Sequence, residues 1–214
     1  MTWNAMSKAI PAYDPEVDAP AHHHPVYDYD SGPPVDRGKF AIWCFLGTEI
    51  MFFTGLIGTY LVLRTGSPSW PNPAMRLAVD LTAFNTFILI CSSATVVAGL
   101  NAIQRNDRGK FIQWWGLSIL FGAFFVGVQV YEYVELIGHG NTANQDLFWS
   151  TFYVMTGFHG LHVIVGVIWL IAVYIAALRG KYDAKDSVGV ELCGLYWHFV
   201  DLVWVLLFTL VYLM

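Results

Sequence analysis

Charge is what this sequence most lacks. Of its 214 residues only 13% are Asp, Glu, Lys or Arg, against about 25% in a soluble globular domain, while 56% are apolar and 16% aromatic. That deficit makes lipid, not water, the solvent for most of the chain. Cysteine is almost absent too. Cys44, Cys91 and Cys193 fall singly on three separate apolar runs, so there is no thiolate cluster of the kind a copper site needs, and they read as small core residues. No nucleotide-binding motif and no repeat of inverted halves is visible, which leaves a pump or transporter without a recognisable engine. The N-terminus has no short apolar core behind a basic start, so it is not a signal peptide. Strict period-two alternation over about ten residues, the mark of a membrane barrel strand, is also missing.

What the sequence does have is five apolar runs of bilayer length, which takes roughly 20 residues. They are Phe40–Leu63, broken only by Glu49; Leu81–Ile103; Phe111–Tyr131; Leu147–Leu178, with no Asp, Glu, Lys or Arg; and Leu192–Met214, carrying Asp201 alone. They predict an all-α integral membrane protein, a five-helix bundle with helices near 39–63, 81–104, 111–137, 147–178 and 190–213. Residues 1–36, rich in Pro, Asp and Tyr and without apolar periodicity, read as an extended tail on the membrane surface. His22, His23 and His24 within it cannot all face one ion on regular structure, so a solvated tail is the reading there. Nine of the eleven basic residues lie in the tail and in the loops Gln104–Lys110 and Arg179–Gly189; only Arg64 and Arg76 lie on the other side. Basic loops stay cytoplasmic, which predicts the N-terminus and tail inside and the C-terminus outside.

Against this background the stretch FHGLHVIVG, residues 158–166, stands out. His159 and His162 are three residues apart, hence on one side of a helix. At about 1.5 Å rise per residue, Glu49 falls roughly 15 Å deep in the first helix, the histidine pair roughly 18–22 Å down the fourth, and His198 and Asp201 roughly 12–17 Å into the fifth. One carboxylate, three imidazoles and an aspartate thus reach a common layer. Each is costly against lipid, so they are expected to face inward and find one another. Glu191 is expected at the inner boundary, and Glu132 and Glu135, in VYEYVEL, at the outer one.

Three chemistries can be tested against such a layer. A two-haem core needs histidine pairs stacked about 13–14 residues apart along each helix, and none has such a counterpart. A single metal held by His159, His162 and His198 is the second. A proton path through Glu49 and the histidines is the third, since buried carboxylates and imidazoles are the usual parts of relays. On the residues alone a structural polar layer is favoured.

Four segments then carry a resemblance: LGTEIMFFTGLIGTYLVLR, QVYEYVEL, FYVMTGFHGLHVIVGVIWL and LYWHFVDLVWVLLFTLVYLM. From about Arg37 to Met214 they resemble, in order and spacing, the helices of subunit III of haem-copper respiratory oxidases, in the short five-helix bacterial form that starts at the third helix of longer members. The resemblance implies a non-catalytic chain, with no cofactor or metal of its own, packed on oxidase subunit I beside subunit II and other respiratory-complex subunits. Haems and copper would sit in those partners, phospholipid would be bound, no nucleic acid is involved, and the location would be the bacterial cytoplasmic membrane. In the family this subunit supports stability, lipid binding and sustained proton uptake during oxygen reduction. Glu49 matches the family's buried carbodiimide-reactive glutamate, His159, His162, His198 and Asp201 match motif positions, and Glu191 matches an acidic position. The alternatives are subunit III of a quinol oxidase, a subunit III-like protein associated with nitric oxide reductase, and, in a different class, a stand-alone transporter.

Overall fold

The computed structural model describes residues 36–184 and 186–214. Residues 1–35, including His22–His24, lie outside the described residues. Those described form five long helices, α1 (Arg37–Gly66), α2 (Val79–Gln104), α3 (Arg108–Gly138), α4 (Leu147–Leu178) and α5 (Val188–Phe208), with a 3₁₀ turn at Pro73–Met75 and a π turn, Thr209–Leu213, closing the last helix. All five, counting the π turn with α5, are long and apolar enough to cross a membrane, and among the described residues there is no strand. The protein is a multi-pass membrane protein.

Helix ends are set by polar residues at the run boundaries. Asp36 caps α1 by accepting from the backbone N–H groups of Gly38 and Lys39 at 2.8 and 3.1 Å. Asp107 accepts from Lys110 N–H at 3.1 Å and Asp146 from Trp149 N–H at 2.9 Å, each satisfying donors that a helix start leaves without partners. Asp36, expected in the tail, therefore belongs to α1, and α3 begins at Arg108 because the cap lies upstream of the apolar run. Three helices end alike. Asn106, Gly140 and Gly180 take left-handed φ values of 61°, 82° and 79°, and the next residue donates back five positions: Asp107 N–H to Ala102 O, Asn141 to Leu136 O and Lys181 to Ala176 O at 2.9–3.1 Å. This is the Schellman closure.

The helix α5 sits at the centre, packed on α1, α2 and α4, while α2–α3 and α3–α4 are adjacent antiparallel neighbours. Trp197 shows how α5 is seated. It is 1% exposed and lies in a slot between Gly122 on α3 and Gly166 on α4, where an added Cβ would stand 2.6 and 2.8 Å from the indole. Only glycine leaves room for the indole at both positions, and small residues at helix contacts are the usual means of packing helices in lipid. By contrast α1 buries only Ile42, Leu46, Phe53 and Tyr60. Its C-terminal end is tied to the π turn and the last residue by Arg64, which donates to the Leu210 and Met214 carbonyls, and by Tyr60, whose hydroxyl donates to Leu210 O. A cation here also offsets the negative ends of both helices.

Candidate functional site

The expected polar layer resolves into separate sites, because residues three apart on a helix point about 60° apart and meet different neighbours. On the outside of α4, His162 turns to α1. Its Nε2 lies 3.0 Å from Glu49 Oε2 and its Nδ1 2.7 Å from the Phe158 carbonyl. A carbonyl can only accept, so Nδ1 carries a proton. One further proton must then lie between Nε2 and Oε2, and the pair is net neutral whichever atom holds it. The two side chains are 15% and 18% exposed, flanked by the rings of Phe52 and Phe53.

Its neighbour His159 turns the other way, into the bundle. It is fully buried, stacked on Trp204 at 4.9 Å and edged by Phe125 and Phe53. Neither ring nitrogen has a hydrogen-bond partner. The expectation that all five groups find one another is therefore corrected: His159 has aromatic company in place of polar company.

His198 on α5 meets a residue that sequence reasoning passed over, Ser93 on α2. The Ser93 hydroxyl lies 2.5 Å from His198 Nδ1. Asp201 Oδ1 is buried without a partner.

Glu132 was expected at the outer boundary with its neighbour Glu135. Glu135 is exposed, but Glu132 is 5% exposed and accepts from Tyr212 at 3.1 and 3.2 Å and from Thr82 at 3.3 Å. The helical turn that separates them puts Glu135 on the outer face and Glu132 in the α2–α3–α5 interior. Glu191 meets Lys39 at 2.5 Å, with Ser187 and Gln104 beside it, so it joins the starts of α1 and α5.

Beyond Ser93, the missed residues are a stripe along α2. Thr82 and Thr86 lie four residues apart and Ser92 and Thr95 three apart, and all four are buried. Thr86 accepts from Trp204 Nε1 at 2.8 Å, Ser92 from Trp197 Nε1 at 2.9 Å, and Thr95 pairs with Ser118 at 2.6 Å. That recurrence of small hydroxyl residues in an uncharged run was the available signal. A second internal set, Gln129 and Tyr133 on α3 with Thr156 on α4, closes the adjacent interface.

Among the described residues no group of three or more His, Cys, Asp or Glu is placed to hold a metal ion; His159, His162 and His198 do not converge on one point. The three cysteines are free and run from exposed Cys44 to buried Cys193. These pairings, on five spanning helices, are those of a chain whose polar groups join helices.

Residues 29–214 match the family described as Cytochrome c oxidase subunit III. The chain belongs to that family. It is 38% identical over 195 residues to the cytochrome c oxidase subunit 3 of Thermostichus vulcanus, covering 91% of this chain and 90% of that one. To the cytochrome c oxidase subunit 3 of a Synechocystis species it is 38% identical over 217 residues, with coverage of 100% and 88%. A quinol oxidase subunit 3 from Bacillus spizizenii is 35% identical over 172 residues, covering 80% of this chain and 84% of that protein. The chain is thus an oxidase subunit III, and the two motif stretches, FHGLHV and YWHFVD, supply the partners of Glu49 and of Ser93.

Proposed function

We propose that this chain is the non-catalytic subunit III of a respiratory cytochrome c oxidase in a bacterial cytoplasmic membrane. It packs on subunit I, beside subunit II, binds phospholipid, and supports stability and sustained proton uptake while its partners reduce oxygen at their haems and copper. The N-terminus and the tail of residues 1–36 lie on the cytoplasmic side and the C-terminus outside. The basic loops support that direction.

The observation that carries the reading is that the chain's ionisable interior groups bind its own helices to one another. Glu49 holds α1 to α4, Ser93 on α2 pairs with His198 on α5, and Glu132 ties α3 to α2 and the π turn. Groups committed to such contacts steady a scaffold, while electron transfer belongs to the partners. Because quinol oxidase subunit 3 from Bacillus spizizenii also covers 80% of the chain, quinol is the second reading for the electron donor.

The test is purification of the tagged full chain from its native membrane. Expected are co-purifying larger subunits that contain haem and copper, and oxygen consumption driven by reduced cytochrome c. Oxidation of quinol without cytochrome c activity would shift the assignment to the second reading. A stable complex lacking both metals would overturn the oxidase assignment.

A further inference from the structure

The contacts of Glu132 outnumber the protons that its neighbours can supply. The carboxyl is 5% exposed, and three elements meet on it: α3 itself, the first turn of α2 through Thr82, and the π turn through Tyr212. Tyr212 lies 3.1 Å from Oε2 and 3.2 Å from Oε1, and its hydroxyl has one proton to give. Thr82 Oγ1 also has one proton but two acceptors in reach, the Ala78 carbonyl at 3.1 Å and Glu132 Oε1 at 3.3 Å. With Glu132 written as a carboxylate, Thr82 must leave one of these two contacts without a proton. A proton on Oε1 fills them all. Oε1–H then donates to Thr82, Thr82 donates to the Ala78 carbonyl, and Tyr212 donates to Oε2.

Charge balance agrees. Among the described residues no Lys, Arg or His forms an ion pair with Glu132. The two arginines at this end are committed elsewhere, Arg64 to the Leu210 and Met214 carbonyls and Arg76 to Asp146. The titratable groups around the carboxyl are Tyr212 on the π turn, Tyr133 and Glu135 on α3, and Tyr153 on α4. From α2 come Thr82 and, exposed at its start, Asp80. None is a cation, so an ionised Glu132 would be a buried charge with nothing to offset it.

We infer that Glu132 holds a proton and works as a pH-sensitive latch. Protonated, it closes the π turn and the start of α2 onto α3; when the proton leaves, it releases them. The proton has a way out, because exposed Ala78 lines a cleft with Asp80 and Leu81 at the start of α2, and Thr82 links the Ala78 carbonyl to the carboxyl. A folded bundle that keeps a proton which the unfolded chain gives up at neutral pH loses stability as pH rises, so the latch opens on the alkaline side. The device lies in contacts within this chain and stands apart from the oxidase assignment.

The test is amide hydrogen exchange of the intact complex in detergent, followed by mass spectrometry over residues 209–213 and corrected for the intrinsic rate at each pH. The opening constant of the π turn is expected to climb by up to about tenfold per pH unit, the slope of one proton. Glu132→Gln, whose amide can donate to Thr82 and accept from Tyr212, is expected to stay closed with no slope. Glu132→Ala is expected to be open throughout, again with no slope. In parallel, the infrared spectrum should show a protonated-carboxyl band that fades as the latch opens and is missing from Glu132→Gln. A wild-type opening constant indifferent to pH, or a slope that survives Glu132→Gln, would overturn the inference. So would absence of the band, the result expected if a neighbouring subunit supplied a cation to an ionised Glu132. Should neither variant assemble, the wild-type slope and band decide the matter alone.

Discussion

Replacing Glu49 by Gln and by Ala separates two accounts of the Glu49–His162 contact. With His162 Nδ1 committed to the Phe158 carbonyl, the 3.0 Å contact to Oε2 holds a single proton. If the proton lies on the carboxyl, no charge is separated in a segment facing lipid. Gln then reproduces the contact by donating its amide N–H to Nε2. If the pair is ionic, removing the carboxylate strands an imidazolium, and breaking such a buried pair costs about 3–5 kcal/mol. The neutral arrangement avoids that desolvation, so Glu49→Gln is expected to change stability by less than about 0.5 kcal/mol. Glu49→Ala is expected to cost about 1–3 kcal/mol, the penalty of a buried group left without a partner. Thermal unfolding of the purified complex in detergent measures both. A carbonyl stretch of a protonated carboxyl, lost in Glu49→Gln, would support the neutral pair by infrared spectroscopy. If Gln proved as damaging as Ala, or worse, the neutral arrangement would be refuted. Initial oxygen reduction is expected to persist in Glu49→Gln, because the residue takes no part in electron transfer.

Three other perturbations probe the packing and the loop before α4. His159→Phe removes two nitrogens that have no partner and keeps the stack on Trp204, so unfolding temperature should hold or rise; a clear loss would mean the ring makes a bond within the complex. Gly166→Ala should destabilise by about 1–3 kcal/mol through the clash with Trp197, while Gly127→Ala, at open space, should be silent in the same melt; equal effects would remove the slot argument. At the start of α4, burial raises the Asp146 carboxyl, but the Trp149 N–H and Arg76 outweigh it and hold it below its ordinary value. Its contribution, under about 1 kcal/mol for so exposed a pair, is therefore present above the unfolded value of about 3.9 and is lost as pH falls through the lower folded one. Asp146→Asn should flatten that acid limb of the stability profile, and an unchanged limb would discount the pair.

How much was legible differs from residue to residue. Span number and the limits of α4 follow from uncharged length, a property of each segment alone. Glu49 meeting His162 agrees with an inward search for polar partners, and Glu191 meeting Lys39 agrees with a boundary position. Helix ends were set wide of the apolar runs by caps readable in the text: Asp before α3 and α4, and Asn or Gly after α2, α3 and α4. The burial of Glu132 was not foreseen because depth along a helix was estimated without its rotation, and the rotation turns it toward Tyr212. Ser93 was overlooked because a serine in an apolar run carries no charge to attract notice.

The sequence by itself determined the solvent and the five crossings, because transfer into lipid is decided segment by segment from composition. It also confined the ionisable groups to places where each must find a partner or a shield. Which partner each one found was decided only in the tertiary structure. That choice depends on the rotation and closeness of whole helices, set by contacts such as Trp197 between Gly122 and Gly166 that join residues far apart in the chain. Three residues of spacing brought His159 and His162 to one side of α4; packing sent one to a carboxylate and the other to a tryptophan.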